Sequence, residues 1–219
     1  MKLLNDNDAL FIRDLFNKKL KREVKVILFT AEKGCQYCKE TEQLLKEISA
    51  QSKNNMKVEV LDLDRNREFT EELKIDAAPA TVVLSSNGTK LYYFGMPGGY
   101  QLKCLIEDIV DASEASTDLA SNVKERIKKI DKPVDIKVFV TPACPYSPIV
   151  VRAAHRFAIE NPLIRAQMIE SIEFNDLTRK YNVMGVPKTI INGTLQFEGV
   201  LSDEAFALKV SEAGETPLQ

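Results

Sequence analysis

Two cysteines three positions apart, in Cys35-Gln36-Tyr37-Cys38, carry the clearest chemistry in this 219-residue chain. They follow a short apolar run over 24–29 and lead into a segment with helical periodicity. A thiolate is the attacking form of cysteine, and an unperturbed thiol near pKa ~8.5 is only a few per cent ionised at neutral pH. A helix start changes that for Cys35, because unpaired N–H groups and the helix dipole favour the anion. Cys38 lies one turn further in on the same face, with Cβ atoms roughly 5–6 Å apart, so a small adjustment closes a disulfide. The roles follow: Cys35 attacks a partner's disulfide and Cys38 resolves the mixed disulfide. The competing use of such a pair is metal binding, but tetrahedral zinc takes four ligands. The other candidates are Cys104, Cys144 and the single His155, with no second pair at metal spacing, so no metal is expected.

A related turn recurs as Cys144-Pro145-Tyr146-Ser147. Pro145 suits a first helical turn, where its missing N–H is harmless. Ser147 stands at the position of a missing resolving thiol. A serine cannot form a disulfide, so this site could make a mixed disulfide and not resolve it alone. It is a natural single-thiol site, a Cys→Ser replacement, or an inactive second unit. Tyr37 and Tyr146 occupy matching positions, as an apolar lip with a polar tip beside the sulfur or as exposed turn residues. His155 lies ~16 Å along the helix axis from Cys144, too far for a general base. It is expected to be half-exposed. Cys104 points away from the inward face set by Leu102, Leu105, Ile106 and Ile109, which predicts a surface or inter-unit position.

The elements that must position these residues come in two sets. Cys35 precedes Pro79 by 44 residues, and Cys144 precedes Pro187 by 43. Each proline opens Pro-x-Thr and an apolar run that ends in Asn-Gly-Thr, at 87–89 and 192–194. Asn-Gly between apolar runs is a hairpin signal, since both residues tolerate positive φ. The periodicities predict helix 7–20, strand 24–30, helix 36–51, strand 57–64, helix 67–74, a hairpin around 87–88 and helix 99–112. The second set is helix 118–130, strand 135–141, helix 147–160, strand 165–171, helix 174–181, hairpin 188–198 and helix 203–212. This order implies an α/β fold of two units, each a mixed four-stranded sheet with helices on both faces. The small, polar stretch 111–118 places the boundary between units 1–116 and 117–219, with Thr117 or Asp118 capping the next helix.

Bulk properties narrow the function. The chain is 44% apolar and 28% charged, with a net charge of -2. That balance fits a globular protein and argues against nucleic acid or an anionic membrane as partner. The N-terminus turns polar too early for a signal peptide, and no run reaches the ~20 apolar residues that span a bilayer. The expected compartment is the cytoplasm, where disulfides are mostly transient and catalytic. Met96-Pro97-Gly98-Gly99 lacks the spacing of a dinucleotide-binding fingerprint, so no organic cofactor is expected.

Through Cys35-Gln36-Tyr37-Cys38, Leu61-Asp62-Leu63-Asp64 and Ala78-Pro79, the sequence resembles the thioredoxin superfamily. More closely, it is similar to the tandem thioredoxin-fold protein disulfide oxidoreductases of thermophilic archaea and bacteria, also called glutaredoxin-like proteins. The resemblance covers nearly the whole chain and implies dithiol–disulfide exchange with polypeptides, in some members isomerase activity, and re-reduction by a thioredoxin-reductase-like flavoenzyme. It implies that Pro79 and Pro187 are cis and face the cysteines, leaving the backbone of Ala78 and Val186 free to pair with an extended substrate. Ser147 departs from a family that carries a cysteine pair in each unit, and resembles the single-thiol sites of monothiol-type glutaredoxins. Many thioredoxins also place a buried acid on the first core strand. Phe29 stands there, and Glu32 is the nearest candidate proton acceptor. Two alternatives stay open: a glutathione-linked glutaredoxin, which Glu198-Gly199-Val200 disfavours by lacking a Gly-Gly pair, and a non-catalytic polypeptide-binding chaperone. An iron–sulfur or zinc carrier is the remaining reading of the cysteines.

Overall fold

The computed structural model describes residues 2–215. The first half runs α1 (Asp6–Lys19), β1 (Val24–Thr30), α2 (Cys38–Ser49), β2 (Met56–Asp62), α3 (Arg67–Leu73), β3 (Ala80–Leu84), β4 (Lys90–Phe94) and α4 (Gln101–Glu114). The second runs α5 (Ser121–Lys128), β5 (Val134–Val140), α6 (Ser147–Glu160), β6 (Ile164–Glu170), α7 (Asn175–Lys180), β7 (Lys188–Ile191), β8 (Leu195–Glu198) and α8 (Asp203–Glu215).

Local chemistry accounts for the main boundaries. Asn5 caps α1, its side chain accepting from the Asp8 N–H at 2.8 Å, with acids in the first turn and lysines in the last. At 85–89 the Gly88 N–H donates to the Ser85 carbonyl, and Gly88 takes a φ of +86°, which closes the β3–β4 hairpin. Strand β1 is apolar on both faces because each face meets a core. Val24, Val26 and Leu28 enter one core, and Ile27 and Phe29 enter the other.

Within each half the pairing is the same. β1 lies parallel to β2 and antiparallel to β3, which pairs antiparallel with β4. β5 repeats this with β6, β7 and β8. The two four-stranded sets then join, because β4 pairs parallel with β6 from Leu91↔Ala166 to Phe94↔Ile169. The result is one eight-stranded sheet in the order β2-β1-β3-β4-β6-β5-β7-β8. One continuous core under α1, α2, α4, α5, α6 and α8 draws buried residues from both halves. A second core lies on the other face, with Phe69, Leu73, Phe174 and Leu177 from around α3 and α7.

Two expectations need correction here. Helix α4 continues to Glu114, so half of the polar stretch read as a boundary is helical. The N-cap of α5 is Ala120, which has no side chain to cap with. Thr117 instead donates its hydroxyl to Glu160 at 2.5 Å, and Asp118 pairs with Arg156 at 2.9 Å.

Candidate active site

Cys35 and Cys38 are joined in a disulfide at the C-terminal end of β1, with their Cα atoms 5.6 Å apart. The helix starts later than the spacing predicts. Cys38 is the first residue of α2 and Tyr37 the N-cap, so Cys35 sits on the turn before it. The Thr41 N–H and hydroxyl both bond to the Tyr37 carbonyl, which ties that turn to the helix. Burial separates the two sulfurs: Cys35 is half-buried, and Cys38 is 7% exposed. A client can therefore reach Cys35 first, while Cys38 is held for an internal attack.

Ala78–Pro79 and Val186–Pro187 are both cis peptide bonds. Each proline carbonyl accepts a 2.9 Å bond from the glycine just past the second strand of the hairpin that follows, Gly95 after β4 in one half and Gly199 after β8 in the other. Ala78 and Val186 are part-exposed. The Cys144 thiol donates to the Val186 carbonyl at 3.5 Å, which places the second sulfur against its own proline loop. Helix α6 begins at Ser147, after Pro145, and the proline inside its first turn is Pro148. Ser147 is fully buried, and its hydroxyl has no hydrogen-bond partner. Tyr146 is exposed; Tyr37 is half-buried and accepts from Gln36. Glu32 is exposed and ion-paired with Arg65.

The histidine expectation differs from what is found, while Cys104 takes the inter-unit position expected of it. His155 is completely buried and donates from Nδ1 to Asp108 at 2.5 Å. Cys104 is 1% exposed, 3.6 Å from the same carboxylate. Both lie where α4 packs on α6, so the other half of the chain supplies the burial that one helix's periodicity cannot reveal. Tyr93 and Arg152 also bond to Asp108. Burial works against the Asp108 charge, but Arg152 and His155 outweigh it and hold the carboxyl at about 2. Burial pushes the Cys104 thiol well up, which favours its protonated form. Cys104, Asp108 and His155 do bring ligand-type atoms within 4.8 Å of one another. The Arg152 guanidinium already supplies the positive charge there, and a metal ion would have to displace it.

Two acids from the second half border the first site. Glu170 and Glu173 share a 200 Å³ cavity with Tyr37 and Met96. Glu173 also lines a 540 Å³ cavity with Lys33, Gly34, Asp76 and Ala78. The Met96 N–H donates to Glu173 at 2.7 Å, yet burial pushes that carboxyl up to about 7. Nothing in the local sequence around these acids points to the other half, because only the β4–β6 join brings them there.

Residues 8–109 match the thioredoxin family, and residues 134–212 match a second thioredoxin domain family. A crystal structure of a protein disulfide oxidoreductase from Aeropyrum pernix is 30% identical, covering 98% of this chain and 95% of that one at a TM-score of 0.90. A structure of the alkyl hydroperoxide reductase protein AhpF from Enterococcus faecalis superposes at a TM-score of 0.87 over 94% of this chain and 99% of that one; at 21% identity this likeness is one of fold. The corresponding alkyl hydroperoxide reductase protein of Pseudomonas aeruginosa is 26% identical over 55% of this chain and 23% of its own length. The chain spans about a quarter to a third of the curated relatives it matches.

Proposed function

The chain belongs to the protein disulfide oxidoreductases built from two thioredoxin domains, and on that premise we propose that it exchanges disulfides with polypeptides through Cys35 and Cys38, with Cys144 as a single-thiol second site. The observation that carries this is the closed Cys35–Cys38 disulfide, with one sulfur reachable and the other withdrawn. In the oxidised form, a client thiolate attacks the Cys35 sulfur. The client–Cys35 bond forms as the Cys35–Cys38 bond breaks, and Cys38 leaves as a thiolate. A second client thiolate then displaces Cys35, and the client carries the new disulfide away. In the reduced form the same steps run backwards: Cys35 opens a client disulfide and Cys38 resolves the adduct. The part-exposed Ala78 backbone beside Pro79 supports docking of the client as an extended strand. Tyr37 forms the lip of that groove. Val186, Pro187 and Tyr146 are the counterparts at Cys144.

A flavoenzyme of the thioredoxin-reductase class is the proposed electron source, as the family resemblance implies. Among the described residues no helix is long and apolar enough to cross a membrane. The cytoplasm is the proposed compartment, in keeping with one exchange pair and two unpaired cysteines.

The test is a trapping experiment with a disulfide-bonded client such as insulin. Cys38→Ser should accumulate a mixed disulfide on Cys35, and Cys35→Ser should lower turnover by at least about a hundredfold. Turnover that survives Cys35→Ser would move the reaction to Cys144 or remove it from this protein.

A further inference from the structure

Gly95 and Gly199 follow matching hairpins, and each bonds to the carbonyl of its own cis proline, yet their surroundings differ. A Cβ on Gly199 would meet nothing within 4 Å, and β8 beside it is the last strand of the sheet. A Cβ on Gly95 would stand 2.6 Å from the Glu170 Cβ and 2.9 Å from Glu173 Oε1. The β4–β6 pairing, which ends at Phe94↔Ile169, brings these two acids to the first unit. The corresponding side of the second unit has no further strand to supply them.

Both carboxyls are held in place, and neither is fully satisfied. Glu173 Oε1 accepts from the Met96 N–H at 2.7 Å, and Glu170 Oε2 accepts from the Glu173 N–H at 2.6 Å. Their other oxygens, Glu170 Oε1 and Glu173 Oε2, are buried without a hydrogen-bond partner, and Glu170 as a whole is 2% exposed. An unpaired buried carboxylate oxygen costs free energy that an incoming donor recovers. Both acids line the 200 Å³ cavity, whose other walls include Tyr37, Met96, Pro142 and Ile172. Ile172 is 70% exposed, so the cavity meets solvent there. Two carboxylates among apolar walls match a side chain with an apolar stem and a cationic head. Lys33 shares the adjoining 540 Å³ cavity with Glu173 and does not line this one. Among the described residues no third His, Cys, Asp or Glu joins the pair as a ligand, so it suits an organic cation better than a metal ion.

We infer that Glu170 and Glu173, supplied by the second half, form a pocket at the first cysteine turn for an arginine or lysine of the client close in sequence to its reactive cysteine. The inference rests on the reading that Cys35 exchanges disulfides, and it names which clients that site prefers. The pocket adjoins the turn through Tyr37, two residues from Cys35, and Glu173 also borders Gly34 and Ala78 through the second cavity. A client lying along Ala78 therefore passes the acids near its own cysteine. The guanidinium or ammonium donates to the two open carboxylate oxygens, and the stem covers Tyr37 and Met96.

The trapping variant Cys38→Ser, reduced and otherwise the full chain, tests this with two synthetic peptides. Each has one cysteine joined by a disulfide to 2-mercaptoethanol. One peptide carries arginine on both sides of the cysteine; the other carries citrulline, an uncharged analogue of the same shape. Burial pushes the Glu173 carboxyl up to about 7, so an assay at pH 8 keeps it mostly ionised. The Cys35 thiolate attacks the peptide sulfur; the peptide–Cys35 bond forms as the mixed disulfide breaks, and 2-mercaptoethanol leaves as its thiolate and takes a proton from water. Peptide adducts on Cys35 and on Cys144 are timed by mass mapping. The arginine peptide should add to Cys35 about tenfold faster than the citrulline peptide, and to Cys144 no more than about twofold faster. Glu170→Gln and Glu173→Gln should each bring the Cys35 ratio down to about twofold; a ratio taken within each variant cancels any loss common to both peptides. Equal rates at Cys35, an advantage just as large at Cys144, or one that survives both substitutions overturns the pocket and leaves exchange at Cys35 standing. Failure of both peptides to add to Cys35 sinks the pocket and the exchange reading together.

Discussion

Ser147 stands where the first half has Cys38. It is fully buried with no partner, and an unpaired buried hydroxyl costs about 1–3 kcal/mol. Ser147→Ala should therefore raise stability by about 1 kcal/mol, read as a higher urea midpoint under reducing conditions. Ser147→Cys should complete a second redox pair, so that alkylation after mild oxidation protects two further thiols, Cys144 and the new one. A thiol at 147 that stays open under conditions that close Cys35–Cys38 would show that this turn does not support the pair. Asp108 presents the opposite situation, a buried charge with every partner in place. Asp108→Asn removes the fully buried carboxylate facing Arg152 but leaves Asp111 and Glu107, and should cost about 1–3 kcal/mol. Because the folded Asp108 carboxyl is held at about 2, below its ordinary 3.8, its contribution is present above pH ~4 and fades as pH falls toward 2. Acid titration of stability should lose that component in Asp108→Asn.

At the scale of elements, most of the chain was legible because its patterns are local. The apolar run of β1, the Asn-Gly hairpins and the Cys-x-x-Cys turn each involve neighbours in sequence, and the strands and helices fall within a few residues of where periodicity puts them. The deviations come where a distant partner decides. His155 looks half-exposed on its own helix, yet α4 covers it. Helix α4 runs through Asp111, whose carboxylate is paired with Arg152 across the join, so a polar stretch that reads as a linker is held helical. The Met96-Pro97-Gly98-Gly99 segment carried no recognisable motif, and its role lies in close approach. Gly99 has a φ of +57°, and a Cβ there would collide with the Pro142 carbonyl. Gly99→Ala combines left-handed strain with that clash and should destabilise by at least about 1–3 kcal/mol. It should also displace the 141–144 turn, so the reaction of Cys144 with a small disulfide should change more than that of Cys35. Equal effects on both thiols would mean that the loop does not support the second site.

On the scale of the whole molecule, the β4–β6 join turns two repeats into one sheet with a shared core, which a repeat read from sequence cannot foretell. Strand β4 is mostly apolar and β6 mixes apolar residues with Arg165, Gln167 and Glu170, and each could have been an edge. A shared core predicts a single cooperative unfolding transition, with coincident midpoints from far-ultraviolet dichroism and from tyrosine fluorescence. The join also carries a pH signature. Glu173 packs against the Gly95–Met96 edge of the first half, with Glu170 beside it and Lys33, Asp64, Asp76 and Asp176 around the adjoining cavity. Burial raises the folded Glu173 carboxyl from 4.5 to about 7. Between those values the folded chain keeps a proton that the unfolded chain has released, so this group makes stability fall as pH rises from ~4.5 to ~7. Glu173→Gln removes the titration and should flatten that part of the profile in urea midpoints measured at pH 5 and pH 7.5. Because the carboxylate formed at high pH lies beside the strand that fastens the halves, strain there should reach both cores at once, and the transition should stay single at either pH. Two separated transitions at pH 7.5 that merge in Glu173→Gln would instead show that the charge uncouples the halves and that their sharing of one core is conditional on the proton.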